Sequence, residues 1–541
     1  MNLAQPRFPG QSSRGLLLLL GSIVVGAWGS YQCAQWVIND DMQGMALAGL
    51  VVVGSAVVVG ILNNWRNGVY LFLAWLLFED FARKFLGNNM TIYFAKDFLL
   101  LVVYISFFAD RRKRKVKLFK APFLAPVVVF IWFGVMQIFN PASTSIFYGL
   151  MGVKIFFYYV PLIFVGYALF DSESELRRFF TINLVLAFVI VGLGLAQSII
   201  GPTFLNPAHQ ADDLALLSGM YRVSPQTGQM AYRPTSVFVS NGRFCDFINV
   251  AWLLVLGFSG FLLLRQKKGR ILAFICVAVT AAAAFFAASR GTFMWAMIDG
   301  LVTSAAFIWG APWRQREARR AFKGVQRALL AVAGAMTLLF FIFPDALLSR
   351  VAIYQETLNP NSSTSELSHR GWEYPVDNFL AAFQYPRWLE GYGIGTTALG
   401  GQYVARFFKV VPPVIGVESG FGTLVVEMGV GGLILWLIMG CAIVFTAWRV
   451  VKKLKGSPLL PIAFTIFWYA FVLLFPSTFG GIQPYEDYVL NCYLWLMLGV
   501  LFRLPTLKLT NLAVPATPAR QAWPAVPSGQ RLVIPRTPGV A

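Results

Sequence analysis

Apolar stretches of about twenty residues recur along the whole chain, and that is the length at which a helix crosses the hydrocarbon core of a bilayer. Helices are the expected element, because a segment in lipid must satisfy every backbone polar group within itself. The runs are continuous rather than alternating, which argues against a β-barrel. Composition agrees: 57% of residues are hydrophobic and 13% charged, with a mean hydropathy of +0.65. An ordinary soluble domain is about 25% charged. The expected fold is all-α, a polytopic transmembrane helix bundle of about fourteen helices.

The candidate spans lie near 15–37, 44–62, 69–87, 93–109, 121–140, 148–170, 178–200, 247–264, 271–288, 291–310, 328–344, 419–447, 458–476 and 486–502. The third and fourth carry Glu79, Asp80, Arg83, Lys84, Lys96 and Asp97, which suits tilted or partly embedded helices. The stretch 419–447 exceeds one crossing, so its start is expected to protrude from the lipid. No cleavable signal peptide is expected, because the first run lacks a small-residue cleavage site and leads into a second. The cysteines Cys33, Cys245, Cys276, Cys441 and Cys492 are scattered, with neither metal spacing nor a disulfide framework.

The net charge of +20 does not indicate nucleic acid. The Lys and Arg sit largely in short loops: 111–115, 265–270, 314–327, 449–455 and Arg503. All follow even-numbered spans and therefore share one side, which the positive-inside rule makes the cytoplasm. Both termini are then cytoplasmic. Two long segments fall outside, 201–246 and 345–418, the second between helices 11 and 12. The second holds Trp372, Tyr374, Phe379, Phe383, Tyr385, Trp388 and Tyr392, and its 377–383 stretch reads as a short amphipathic helix. The chain thus divides into N-terminal spans (1–200), a core with both outer loops (201–450), C-terminal spans (451–504) and a Pro-rich cytoplasmic tail (505–541). No internal repeat suggests an inverted-repeat transporter.

Positive charge on the wrong side is the informative feature. Arg222, Arg233, Arg243, Arg290, Arg350, Arg370, Arg387 and Arg406 all map to the outer face. Two readings stand: snorkelling to anionic headgroups, or a clamp for a lipid-linked phosphate, whose oxygens the guanidinium fork matches. Several of these arginines have motif-like surroundings. Ser289-Arg290-Gly291-Thr292 lies between spans nine and ten, where the plain alternative is a tight turn. Tyr232-Arg233-Pro234-Thr235-Ser236-Val237-Phe238 and Ser240-Asn241-Gly242-Arg243 lead into span eight, where the alternative is a helix-capping loop. His369-Arg370-Gly371-Trp372 and Pro386-Arg387-Trp388 precede Gly391-Tyr392-Gly393-Ile394-Gly395, a run that permits close backbone approach to a ligand. The aromatics there suit either sugar stacking or a small loop core. Glu418-Ser419-Gly420 opens span twelve, with Glu427-Met428-Gly429 one to two turns inside. Glu418 is either a base at the outer surface or an acid suited to a helix N-terminus. An intramembrane acid such as Glu427 is a functional candidate.

On Ser-Arg-Gly at 289–291, the Arg370/Trp372 to Gly391–Gly395 stretch and the Glu418 to Gly429 helix opening, residues 200–450 resemble the O-antigen ligase and polymerase superfamily of bacterial envelope glycosyltransferases. The resemblance implies a glycan donor linked to undecaprenyl pyrophosphate, and a glycan or lipid hydroxyl as acceptor. It implies no metal and no cofactor. By similarity Arg290, Arg370 and Arg233 hold the pyrophosphate, while Arg243, His369, Trp372, Arg387 and Tyr392 complete the candidate binding set. The family's base is usually a His nine residues before the Glu of Glu-x-Gly. Here that place holds Glu418, with Ser419 at the neighbouring Asn place. Glu418 is therefore the expected base, with His369 or loss of activity as alternatives. Two further classes remain: a lipid-linked sugar transporter or flippase, which needs ionisable groups along a mid-membrane path, and a non-catalytic subunit of a polysaccharide export assembly.

Overall fold

A computed structural model describes residues 42–86, 90–207, 220–224, 228–265, 269–310, 312, 340–359, 372–398, 400–411, 416–481 and 484–509, with positions 330, 334 and 337 between them. The expected spans at 15–37 and most of 328–344 lie outside these residues, as does the tail beyond 509. The protein is mostly helical, 77%. Among the described residues eight helices are long and apolar enough to cross a membrane, as expected of an all-α membrane protein.

In chain order the helices begin with α1 (Met42–Asn63), α2 (Trp65–Phe85), α3 (Met90–Lys113), α4 (Leu124–Met136), α5 (Ile146–Phe157), α6 (Leu162–Ala168) and α7 (Glu173–Ile200). A two-stranded antiparallel hairpin follows, β1 (Tyr221–Val223) and β2 (Met230–Tyr232), in the register Tyr221 to Tyr232. Then come α8 (Asn241–Arg265), α9 (Arg270–Phe286), α10 (Arg290–Gly310), α11 (Pro344–Leu358), α12 (Tyr374–Ala381), α13 (Gly401–Phe408), α14 (Gly420–Lys453), α15 (Leu460–Val472) and α16 (Tyr488–Arg503). The helix expected at 377–383 is α12, which starts three residues earlier because Pro375 suits a first helical turn.

The core is built around α16, buried along most of its length, which packs on α6; α8 packs on α15 and α9, and α9 on α7. Gly166 and Gly499 allow the α6–α16 approach. A Cβ at either would meet backbone oxygen of the facing helix, Leu496 O at 2.1 Å or Ile163 O at 2.2 Å. Small residues at helix interfaces serve this purpose where lipid supplies no hydrophobic drive.

Charges collect near two sets of helix ends. One set joins Arg66 to Asp171 and Glu175, Arg503 to Asp171, and Arg265 to Glu173 at 2.5 Å. The other joins residues of the charged third and fourth spans to each other and to later helices. Lys96 Nζ meets Glu79 Oε2 at 2.9 Å, Lys154 Nζ meets Asp97 Oδ2 at 2.6 Å, and Arg243 Nη1 meets Asp80 Oδ2 at 2.8 Å. Glu79, Asp80, Arg83, Lys84 and Lys96 are all buried, so α2 and the start of α3 lie within the bundle, with Lys84 held by Thr235 and Ser236 and the other charges in ion pairs. Pairing is the condition for such burial, since an unpaired ion there costs several kcal/mol, about as much as many whole folds gain.

The long stretch that opens at Gly420 is continuous in sequence but broken in geometry. Gly429 stands at φ 69°, ψ −178°, so Gly420–Met428 forms a short separate segment. The residue is glycine for two reasons: the left-handed φ, and Leu389 O, which a Cβ would meet at 2.2 Å.

Candidate anion-binding junction

The segment that carries Arg233 is pinned by buried polar side chains. Pro234 cannot continue the β2 ladder, and the chain turns inward to bury Val237 and Phe238. The amides of Thr235 and Ser236 both donate to Gln197 Oε1, at 2.9 and 2.7 Å. Lys84 Nζ donates to Thr235 Oγ1 at 2.8 Å and to Ser236 O at 2.7 Å. Ser236 is held at φ 51°, the left-handed region that non-glycine residues avoid.

The segment that carries Arg290 is a three-residue turn between α9 and α10. Ala288 within it stands at φ 50°. Thr292 Oγ1 donates to Ser289 Oγ at 3.1 Å, which closes the first turn of α10. Arg290 itself is buried, at the N-terminus of a 21-residue helix whose dipole favours an anion there.

Asn241 joins the two segments. Its Oδ1 accepts Arg233 Nε–H at 3.0 Å, and its Nδ2 donates to Pro234 O at 2.8 Å and Ala287 O at 3.3 Å. Helix α11 covers the junction. Arg350 Nε donates to Phe286 O and Nη2 to Tyr232 O, both at 3.1 Å. Tyr354 OH donates to Phe285 O at 2.7 Å, and its ring stacks on Phe293. Burial pulls the Arg350 guanidinium down to about 10, with Tyr354 acting in the other direction. Burial likewise raises the Tyr354 phenol, against the fields of Arg350, Arg222 and Arg290. Arg222, Arg233, Arg290 and Arg350 therefore belong to one neighbourhood. Strained backbone in two rigidly held segments is characteristic of sites where geometry matters more than stability.

The remaining sequence candidates take other places. Arg243 Nη1 donates to both Asp80 oxygens, at 2.9 and 2.8 Å, and its guanidinium lies over Tyr488. Its charge is engaged by a carboxylate. His369 and Arg370 lie outside the described residues. Trp372 is 70% exposed. Arg387 pairs with Glu390 at 2.9 Å on the surface. Tyr392 is half-buried, and its amide donates to Val426 O at 2.8 Å. Glu418 is exposed, just before the Ser419 N-cap of α14, and forms no ion pair with the described residues.

The Gly391–Gly395 run has a different use from the one expected. Its close approach is to protein backbone: a Cβ at Gly391 would meet Glu427 O at 2.5 Å, and one at Gly395 would meet Tyr148 O at 2.2 Å. The run caps the break in α14, with Gly393 N donating to Glu427 O at 2.9 Å. Glu427 is fully buried, and its Oε1 accepts from Thr397 N and Thr397 Oγ1 at 2.9 and 2.8 Å. It serves as the anchor for this loop.

Sequence reasoning placed Arg350 only in the general set of outer arginines and gave no role to Lys84, Gln197, Asn241 or Tyr354. The available signal was polarity at the ends of apolar helices, where a buried polar group needs a partner. The chain matches no family model and no curated protein.

Proposed function

We propose that this chain is a membrane-embedded glycosyltransferase of the O-antigen ligase and polymerase type. It takes a glycan from undecaprenyl pyrophosphate at the outer face of a bacterial inner membrane and transfers or polymerises it. The observation that carries this reading is the junction where Asn241 ties Arg233 to the turn before Arg290. In this reading about fourteen spans cross the membrane, both termini are cytoplasmic, and 201–246 and 345–418 lie outside, the latter between spans eleven and twelve.

The chemistry follows from the groups. Arg233 and Arg290, with Arg370, hold the pyrophosphate through bidentate hydrogen bonds. The acceptor hydroxyl oxygen attacks the anomeric carbon, the bond from that carbon to the phosphate oxygen breaks, and undecaprenyl pyrophosphate leaves with the electron pair. The arginines stabilise the charge that develops on it. Glu418 takes the proton of the acceptor hydroxyl. Trp372, Arg387 and Tyr392 are the candidate glycan contacts, and Arg243 supports the fold through Asp80.

The test uses the full chain in lipid nanodiscs with an undecaprenyl-pyrophosphate-linked oligosaccharide and a glycan or lipid A–core acceptor. Mass spectrometry should detect the transferred glycan and free undecaprenyl pyrophosphate. Arg290→Ala should abolish the product and Arg290→Lys should retain little, because a point charge does not replace a fork. Wild-type rates in both variants would remove Arg290 from the site, and absence of product from wild-type protein would reject the reading. The alternative is a transporter or flippase for the same lipid-linked sugar, which needs ionisable groups along a mid-membrane path. Movement of the oligosaccharide across the bilayer without transfer would select it.

A further inference from the structure

Helix α11 reaches both arginine-bearing segments at several points. Arg350 bonds Tyr232 O beside Arg233 and Phe286 O four residues before Arg290. Ile353 is fully buried in a small apolar cluster of its own with Ala231 and Ala288, one residue on each segment. Tyr354 holds Phe285 O and stacks on Phe293, on either side of the turn. Glu356 Oε2 accepts from Ser224 Oγ at 2.7 Å, at the end of β1. No single one of these contacts would fix a distance. Together they clip the β-hairpin and the α9–α10 turn to one rigid helix.

We infer that α11 is a strap that sets the separation of Arg233 and Arg290, with Arg350 as its positioning residue, and thereby selects a diphosphate over a monophosphate headgroup. This rests on the glycosyl-transfer reading of the junction. Arg350 does not bind substrate itself: it is 2% exposed, and both named donors are engaged by backbone carbonyls. Two arginines whose separation matches the two phosphates of a pyrophosphate can engage both, and at that separation a monophosphate on one arginine leaves the other without a phosphate. Preorganisation of that kind is lost when the support loosens, even though the arginines remain.

The experiment measures binding of undecaprenyl pyrophosphate and of undecaprenyl monophosphate to the full chain in nanodiscs, for wild type, Arg350→Met and Tyr354→Phe. Wild type should prefer the pyrophosphate by about tenfold or more, the worth of one charge-assisted hydrogen bond. Arg350→Met should collapse that preference toward equality, and Tyr354→Phe should reduce it severalfold. General weakening of the fold would lower both affinities alike and leave the ratio unchanged, which would overturn the inference. If Arg350→Met does not fold, an unchanged ratio in Tyr354→Phe overturns it on its own. Wild-type protein that binds neither lipid rejects the functional reading itself, whereas a wild-type preference retained in both variants rejects only the strap.

Discussion

Arg233 donates its Nε–H to Asn241 Oδ1 across 3.0 Å, which makes one asparagine the shared support of two arginine-bearing segments. Asn241→Ala should therefore do more than remove a side chain. It leaves Pro234 O and Ala287 O without their amide donor and frees the Arg233 guanidinium. The expected stability loss is about 1–3 kcal/mol, the cost of leaving a buried polar group unsatisfied. Donor affinity should fall by about tenfold or more if the arginine geometry depends on it. Thermal unfolding and lipid binding on the same sample check both, and unchanged values in each would show that Asn241 supports neither segment.

The Glu79–Lys96 pair makes a different kind of prediction. Both side chains are fully buried, 2.9 Å apart, and Lys96 Nζ lies 3.4 Å from the Tyr93 ring centroid. Lys96→Met alone leaves the buried Glu79 carboxylate with only the longer contact to Arg83 at 3.8 Å and should cost about 3–5 kcal/mol. The double variant Glu79→Leu, Lys96→Met should be markedly less destabilised than the sum of the single variants. Additive losses in thermal unfolding would mean that the two groups do not act as a pair.

At Gly429 the prediction is steric. A Cβ would stand 2.2 Å from Leu389 O, and φ is 69°. Gly429→Ala should cost about 1–3 kcal/mol for the strained backbone alone, with the clash in addition, and should detach the loop that Tyr392 and Gly393 hold against α14. Gly192→Ala is the control, because nothing lies within 4 Å of a Cβ there and the residue is in mid-helix. That substitution should be neutral or slightly stabilising. Equal unfolding temperatures for the two variants would contradict the break in α14.

Glu418 tests the catalytic assignment with little structural cost, since the residue is exposed. Glu418→Gln should keep the unfolding temperature and donor binding and lose roughly two to four orders of magnitude in transfer rate. Near-normal transfer would move the role of base to His369.

Orientation is open to labelling. Lys120 and Glu418 are both exposed and lie on opposite proposed sides. In a background without native cysteines, Glu418→Cys should react with an impermeant maleimide in intact cells, and Lys120→Cys only after permeabilisation. The reverse pattern would invert the topology.

The all-α membrane class, eight of the expected spans and the polar turns between them were legible in the sequence, because span length and proline are properties of short stretches. The twenty-residue runs at Asn241–Arg265 and Arg290–Gly310 needed no knowledge of their neighbours. The partners of the polar groups were not legible. Lys84 meets Thr235 across 151 residues of chain, and Arg243 meets Asp80 across 163. Nothing local distinguishes an arginine that pairs with a carboxylate, as Arg243 does, from one that bonds backbone carbonyls, as Arg350 does. The glycines at 391–395 show the same limit: their sequence announces close approach, and only packing decides whether a ligand or the backbone of α14 and α5 comes close. Hydrophobic length is set by the bilayer, residue by residue, whereas the pairing of buried polar groups is set by which helices meet, and that is decided by the whole chain at once.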